Sequence, residues 1–167
     1  MKKYLKWIGL SLLAILVLLQ IFQIEKTNPK AKPEDDFLSI HKTEAKTPSL
    51  IKSACYDCHS YETKYPWYTY VVPISLWIKK HIDNGRKELN FSTWASYNPK
   101  KADHKIEESA EMVSEKKMPL KSYVLAHSEA KLSPEEIKLL SDYFNSLRSS
   151  KEDKSKDNHE DDKEDND

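Results

Sequence analysis

An all-α fold follows from three features of the chain. Apolar residues recur at three- and four-residue spacing in four separate stretches, no stretch alternates apolar with polar residues, and only two glycines occur in 167 residues. With 38% hydrophobic and 32% charged residues the chain can bury one modest core. Its formal net charge is zero. The absence of a broad basic field or a nucleic-acid-binding motif argues against nucleic acid as a partner.

Residues 7–24 carry no charge and follow Lys2, Lys3 and Lys6. Their length is about that of a helix crossing a bilayer. No small-x-small cleavage site follows, so the segment reads as a retained anchor rather than a cleaved signal. Basic residues ahead of a span keep the N-terminus in the cytoplasm. The expectation is a single-pass signal-anchor over residues 1–24 in the cytoplasmic (inner) membrane, with the remainder facing the periplasm. Residues 25–36, with Pro29 and Pro33, read as a linker. The folded domain is expected over residues 37–148.

Four helices are predicted inside it. The first covers about 48–58, with Leu50, Ile51 and Ala54 on one side. An aromatic stretch with Pro66, Trp67 and Tyr68 then interrupts helical geometry. From Pro73, the residues Ile74, Trp77, Ile78, His81 and Ile82 mark one apolar face, and Gly85 is a natural stop. The third helix covers about 101–116, with Ile106, Ala110 and Val113 inward, and places Met118 in a loop because Pro119 follows it. The fourth opens with Ser133 as N-cap, Pro134 at the first helical position and Glu136 three residues after the cap. Its stripe is Ile137, Leu140, Tyr143, Phe144 and Leu147. Residues 149–167 hold nine acids, four lysines and no apolar side chain, the composition of a disordered acidic tail.

Both cysteines fall in Cys55-Tyr56-Asp57-Cys58-His59, and four chemistries compete for them. Positions three apart share a helix face. Two thiols so placed meet two substituents on one side of a flat ring, and the next histidine turns under the ring's metal. Those are the requirements for covalent haem, one haem c per chain with Cys55 and Cys58 as attachment points and His59 on the iron. Zinc would need two further ligands, and His81, His104 and His127 are scattered rather than paired. A thioredoxin-type thiol exchanger sets its C-x-x-C after a buried strand, which the preceding residues do not predict. A structural disulfide would close too small a loop to constrain much. Haem would also supply an apolar centre for a thin four-helix core.

The motif Cys55-x-x-Cys58-His59, the run Tyr65-Pro66-Trp67-Tyr68, His81 with Gly85-Arg86, Leu89-Asn90-Phe91-Ser92 with Trp94, and Met118-Pro119-Leu120 with Tyr123 occur in this order. The combination resembles a family of bacterial haem-binding domain proteins related to c-type cytochromes, over roughly residues 37–148. The resemblance implies a small cytochrome c-like helical domain around one covalently attached haem. It makes Met118 the first choice for the sixth iron ligand, since small c-type cytochromes place a Met-Pro in a loop before the terminal helix. His81 is the alternative, Met112 falls off the inward stripe, and an open sixth site is the remaining arrangement. Arg86 and Lys87 are candidates for the haem propionates. Tyr65, Trp67, Tyr68, Trp77 and Trp94 are candidates for the porphyrin wall. His104, His127 and His159 receive no role.

The function expected is that of a membrane-anchored electron carrier, not an enzyme, passing single electrons between redox partner proteins. A haem-based sensor or peroxidase-like enzyme with an open sixth site, and a haem-free C-x-x-C thiol oxidoreductase, stand as alternatives.

Overall fold

The structure, a computed structural model, describes residues 2–43 and 46–160. Among the described residues the secondary structure is entirely helical, as expected. Its helices are α1 (Lys2–Leu19), α2 (Phe37–Ile40), α3 (Lys46–Ala54), α4 (Tyr56–His59), α5 (Ile74–Glu88), α6 (Pro99–Ser114), α7 (Lys121–Ala126) and α8 (Pro134–Glu160). Short 3-10 turns cover Pro33–Asp35, Trp67–Tyr70, Phe91–Ser96 and Ser128–Ala130.

The inward stripes of α6 and α8 supply much of the core, with Ile106, Ala110 and Val113 buried in the same cluster as Leu140 and Phe144. Phe37 is its aromatic hub, with ring centres of Phe91 and Trp94 at 5.0 and 4.8 Å and of Phe144 at 6.1 Å. Such pairs add about 0.5–1.5 kcal/mol each beyond the area they bury. Just before Phe37, the Asp36 carboxylate caps α2 through the Leu38 N–H and accepts the Tyr56 hydroxyl at 2.8 Å.

Helix ends are specified locally. Pro99 opens α6 behind Asn98, whose side chain accepts from the Lys101 N–H. At its far end Lys116 takes φ 58°, and the N–H groups of Lys117 and Lys116 return to the carbonyls of Met112 and Val113. This is a Schellman closure with lysine in place of the usual glycine. The predicted capping box of α8 is formed, Glu136 N donating to Ser133 Oγ and Ser133 N to Glu136 Oε2.

The structure corrects several expectations. The helix expected over 48–58 is two helices, because Cys55 (φ −124°, ψ −39°) breaks the run. The Cys55 carbonyl nevertheless accepts from Cys58 N and His59 N, so the motif still forms one helical turn. Gly85 does not end α5, which continues to Glu88. Its role is contact: a Cβ there would lie 2.6 Å from the Cys58 carbonyl oxygen. The apolar face read on α5 is only partly inward, since Ile82 is buried whereas Ile74 and Trp77 are about half exposed.

The expected span over 7–24 is helical only to Leu19, and Ile24 is buried against the domain. The thirteen uncharged helical residues 7–19 extend about 20 Å at 1.5 Å per residue, against a hydrocarbon core of about 30 Å. No helix of the described residues is long and apolar enough to cross a membrane. The linker segment is tied to the domain, with Asn28 Nδ2 donating to the Thr63 carbonyl at 2.8 Å. The expected disordered tail begins as a continuation of α8 to Glu160, its backbone helical there without an apolar stripe. Residues 161–167 of that tail lie outside the described residues.

Replacing Gly85 with alanine forces α4 and α5 apart, and the expected destabilisation is about 1–3 kcal/mol by urea unfolding. Gly9→Ala, which meets nothing within 4 Å, leaves stability unchanged in the same measurement.

Candidate cofactor site

The crossing of α4 and α5, α6 with its closing turn, and the segment leading into α7 enclose a cavity of about 450 Å³. That volume falls within the range of about 300–1,000 Å³ usual for ligand pockets. Cys55, Cys58 and His59 form one part of its wall, and Met118, Pro119 and Leu120 another. Leu89, Phe91, Val113 and Phe144 supply apolar surface, while His81, Asn84, Glu88, Lys105 and Glu108 supply polar groups.

His59 is oriented by the end of α5. Its Nδ1 lies 3.1 Å from the Leu89 carbonyl, which can only accept, so Nδ1 carries the proton and Nε2 keeps its lone pair. A carbonyl partner on the far nitrogen is how a metal-ligating histidine is normally fixed. Burial lowers the pKa of the ring, the backbone hydrogen bonds opposing it, so the neutral imidazole is favoured.

Neither cysteine is in a disulfide. Burial, reinforced by Cys58, pushes the Cys55 thiol up to about 12. Burial and then the Asp57 charge push Cys58 up to about 11, against a lowering influence from Arg86. Thiols held protonated in this way are poor nucleophiles for disulfide exchange. Among the described residues no group of three or more histidine, cysteine or acidic side chains is arranged to hold a bare metal ion.

The two residues between the cysteines are themselves anchored. Tyr56 is buried, stacks on Phe91 at 5.3 Å with planes 12° apart, and donates to Asp36. Asp57 Oδ2 accepts the Tyr123 hydroxyl at 2.8 Å and Oδ1 the Lys64 N–H at 3.0 Å. Tyr123 in turn stacks on His127 at 4.1 Å. His127 Nδ1 lies 3.1 Å from the Tyr123 carbonyl, which leaves Nε2 to accept from the Tyr68 hydroxyl at 2.8 Å. His127, given no role from sequence, therefore helps position Tyr123. The available signal is the four-residue spacing from Tyr123 to His127, which puts the two rings on one side of a helical turn.

Met118 reaches the cavity from a pinned backbone, its N–H donating to the Met112 carbonyl at 3.0 Å. Met112 lines the cavity as well, although it falls off the stripe that packs on α8. His81 also lines it, with Nδ1 2.9 Å from the Trp77 carbonyl and Nε2 left as the acceptor.

Arg86 does not line the cavity. Its Nε donates to the Ser60 carbonyl at 2.8 Å, and its Nη2 to Asn28 and Thr63 at 2.8 and 2.9 Å. Lys87 is likewise not part of the wall. The cation that is there, missed in the sequence, is Lys105, with only 12% of its side chain exposed and paired to Glu108 at 2.5 Å and Glu88 at 3.9 Å. None of the five expected aromatic wall residues lines the cavity. Pro66 turns Trp67 outward, and Trp94 is committed to the Phe37 cluster, where its Nε1 donates to His41.

The family model described as a haem-binding domain matches residues 14–146. No curated protein and no solved structure matches the chain.

His59 gives the site a pH signature. Its pKa is lowered on folding, so the unfolded chain binds the extra proton first, and stability falls as pH drops below the ordinary value of 6.5. The expected slope reaches at most about 1.4 kcal/mol per pH unit. In His59→Asn that component disappears from urea unfolding measured above and below 6.5.

Proposed function

From its membership of the haem-binding domain family, the chain binds haem, and we propose that it is a membrane-attached monohaem c-type cytochrome carrying single electrons between partner proteins on the periplasmic side. The observation that carries this reading is the convergence of Cys55, Cys58, His59 and Met118 on one cavity. When bound, haem supplies a one-electron ferric/ferrous couple.

The chain's own residues account for holding the group. Cys55 and Cys58 would hold the group through thioether bonds to its two vinyl substituents, an addition that consumes no oxidant. His59, with Nδ1 committed to Leu89, offers Nε2 to the iron. Met118 would supply the second iron ligand, and a thioether in that role raises the reduction potential relative to a second histidine. The aliphatic wall around Leu89, Val113 and Leu120 keeps water out, a further influence on potential. Attachment to the membrane is assigned to α1, whose side chains are all exposed and whose first five residues include Lys2, Lys3 and Lys6. Over its 18 residues the helix extends about 27 Å, so with Lys2, Lys3 and Lys6 reaching into the cytoplasmic headgroups it crosses a locally thinned bilayer and leaves the domain on the periplasmic side.

Substituting Met118 with alanine is expected to lower the reduction potential on the order of 100 mV, within the roughly 0.8 V range that axial ligands set, and to remove the methionine–iron charge-transfer band. His81→Ala leaves both unchanged. An unaltered spectrum and potential in Met118→Ala, with the change appearing in His81→Ala, would transfer the sixth position to His81.

A further inference from the structure

The best-exposed aromatic surface of the domain gathers beside the junction with α1. Trp67 is 77% exposed and Tyr70 56%, both on the 3-10 turn that Pro66 opens. Ile74 and Trp77, 46% and 49% exposed, stand three residues apart on the first turn of α5. Residues 63–82, which contain this surface, include Lys64, Lys79 and Lys80 and no acidic residue, with Lys79 paired to the neighbouring Asp83.

This surface is locked to the end of α1. Gln20 Nε2 donates to the Val72 carbonyl and Val72 N donates back to Gln20 Oε1, both at 3.0 Å. Gln23 Nε2 donates to the Tyr70 carbonyl at 3.1 Å, and Lys26 Nζ sits 4.1 Å over the Tyr70 ring. An apolar helix with no buried residue therefore enters the domain where tryptophan, tyrosine and lysine are clustered. Tryptophan and tyrosine concentrate at headgroup depth, and lysines beside them reach toward phosphate.

We propose that Trp67, Tyr70, Ile74 and Trp77 form a docking face that seats the domain on an anionic phospholipid bilayer, in the headgroup layer around α1. The inference rests on the membrane attachment proposed above. It also gives Trp67 a role away from the haem. Because α5 continues from Trp77 to the cavity residues His81, Asn84 and Gly85, the cofactor site lies about 10 Å along the helix from the docked surface. Electron exchange would then take place close to the membrane plane.

The test is lipid photo-crosslinking. The full-length, haem-loaded chain is reconstituted in vesicles of equal parts phosphatidylcholine and phosphatidylglycerol that carry a phospholipid with a diazirine near the top of its acyl chain. Adducts are then mapped by peptide mass spectrometry. Adducts are expected on both α1 and residues 67–77. The surface variant Trp67→Ser/Trp77→Ser is expected to reduce those on 67–77 about fivefold while α1 labelling stays constant. Labelling of α1 with none on 67–77 would overturn the docking face and leave the attachment standing. Labelling of neither would overturn both. In the same vesicles, dimers captured by an amine-reactive bifunctional crosslinker and lost in Trp67→Ser/Trp77→Ser, with no lipid adducts on 67–77, would give the face to a second copy of the chain.

Discussion

At the crossing of α4 and α5 the Cys58 carbonyl occupies the space a Cβ at residue 85 would need, 2.6 Å from it. Backbones close enough to exclude that Cβ let three consecutive residues of the motif segment meet three positions of the α5 region. Cys58 packs on Gly85, His59 reaches the Leu89 carbonyl, and the Ser60 carbonyl receives Arg86. The tautomer of His59 and the placement of Cys58 thus follow from one close approach. A larger residue at 85 would disturb both together, because the atom it meets is backbone and cannot rotate away.

The residues between the cysteines extend this constraint in two directions. Tyr56 joins the motif to Asp36 and the aromatic hub at Phe37, and Asp57 joins it to Tyr123 beyond the Met-Pro turn. Met118 is held from the other side by the Met112 carbonyl at the end of α6. The Cys58–His59 wall and the Met118 wall of the cavity are consequently linked through Asp57 and Tyr123, not merely adjacent. Lys105, between Glu88 and Glu108, brings its positive charge to the same wall already neutralised by carboxylates. The cofactor environment is therefore set mainly by apolar packing.

Much of this was legible in the residues. The stripes of α6 and α8, the Ser133–Glu136 capping box and the Cys55-x-x-Cys58-His59 turn carry local signals, and each forms as read. Most of the failures share a physical origin, since they depended on what approaches a residue from far along the chain. Gly85 reads as a helix stop by propensity, yet it is retained within α5 by the Cys58 carbonyl. Arg86 reads as a carboxylate clamp, yet backbone and side-chain oxygens from residues 28, 60 and 63 occupy it. The aromatic run reads as a haem wall, yet Trp67 faces outward and the aromatic rings that line the cavity are those of Phe91, Tyr123 and Phe144. Lys105 offered no signal, because a lysine on an amphipathic helix is ordinarily solvated.

The central claim is that Cys55 and Cys58 bind haem covalently, with His59 on the iron. Its most direct test is the intact mass of the denatured chain, expressed in cells able to mature c-type haem. The account predicts a mass greater by one haem that survives denaturation and is lost in Cys55→Ala/Cys58→Ala. An unmodified mass, under conditions in which a control cytochrome is matured, would contradict it.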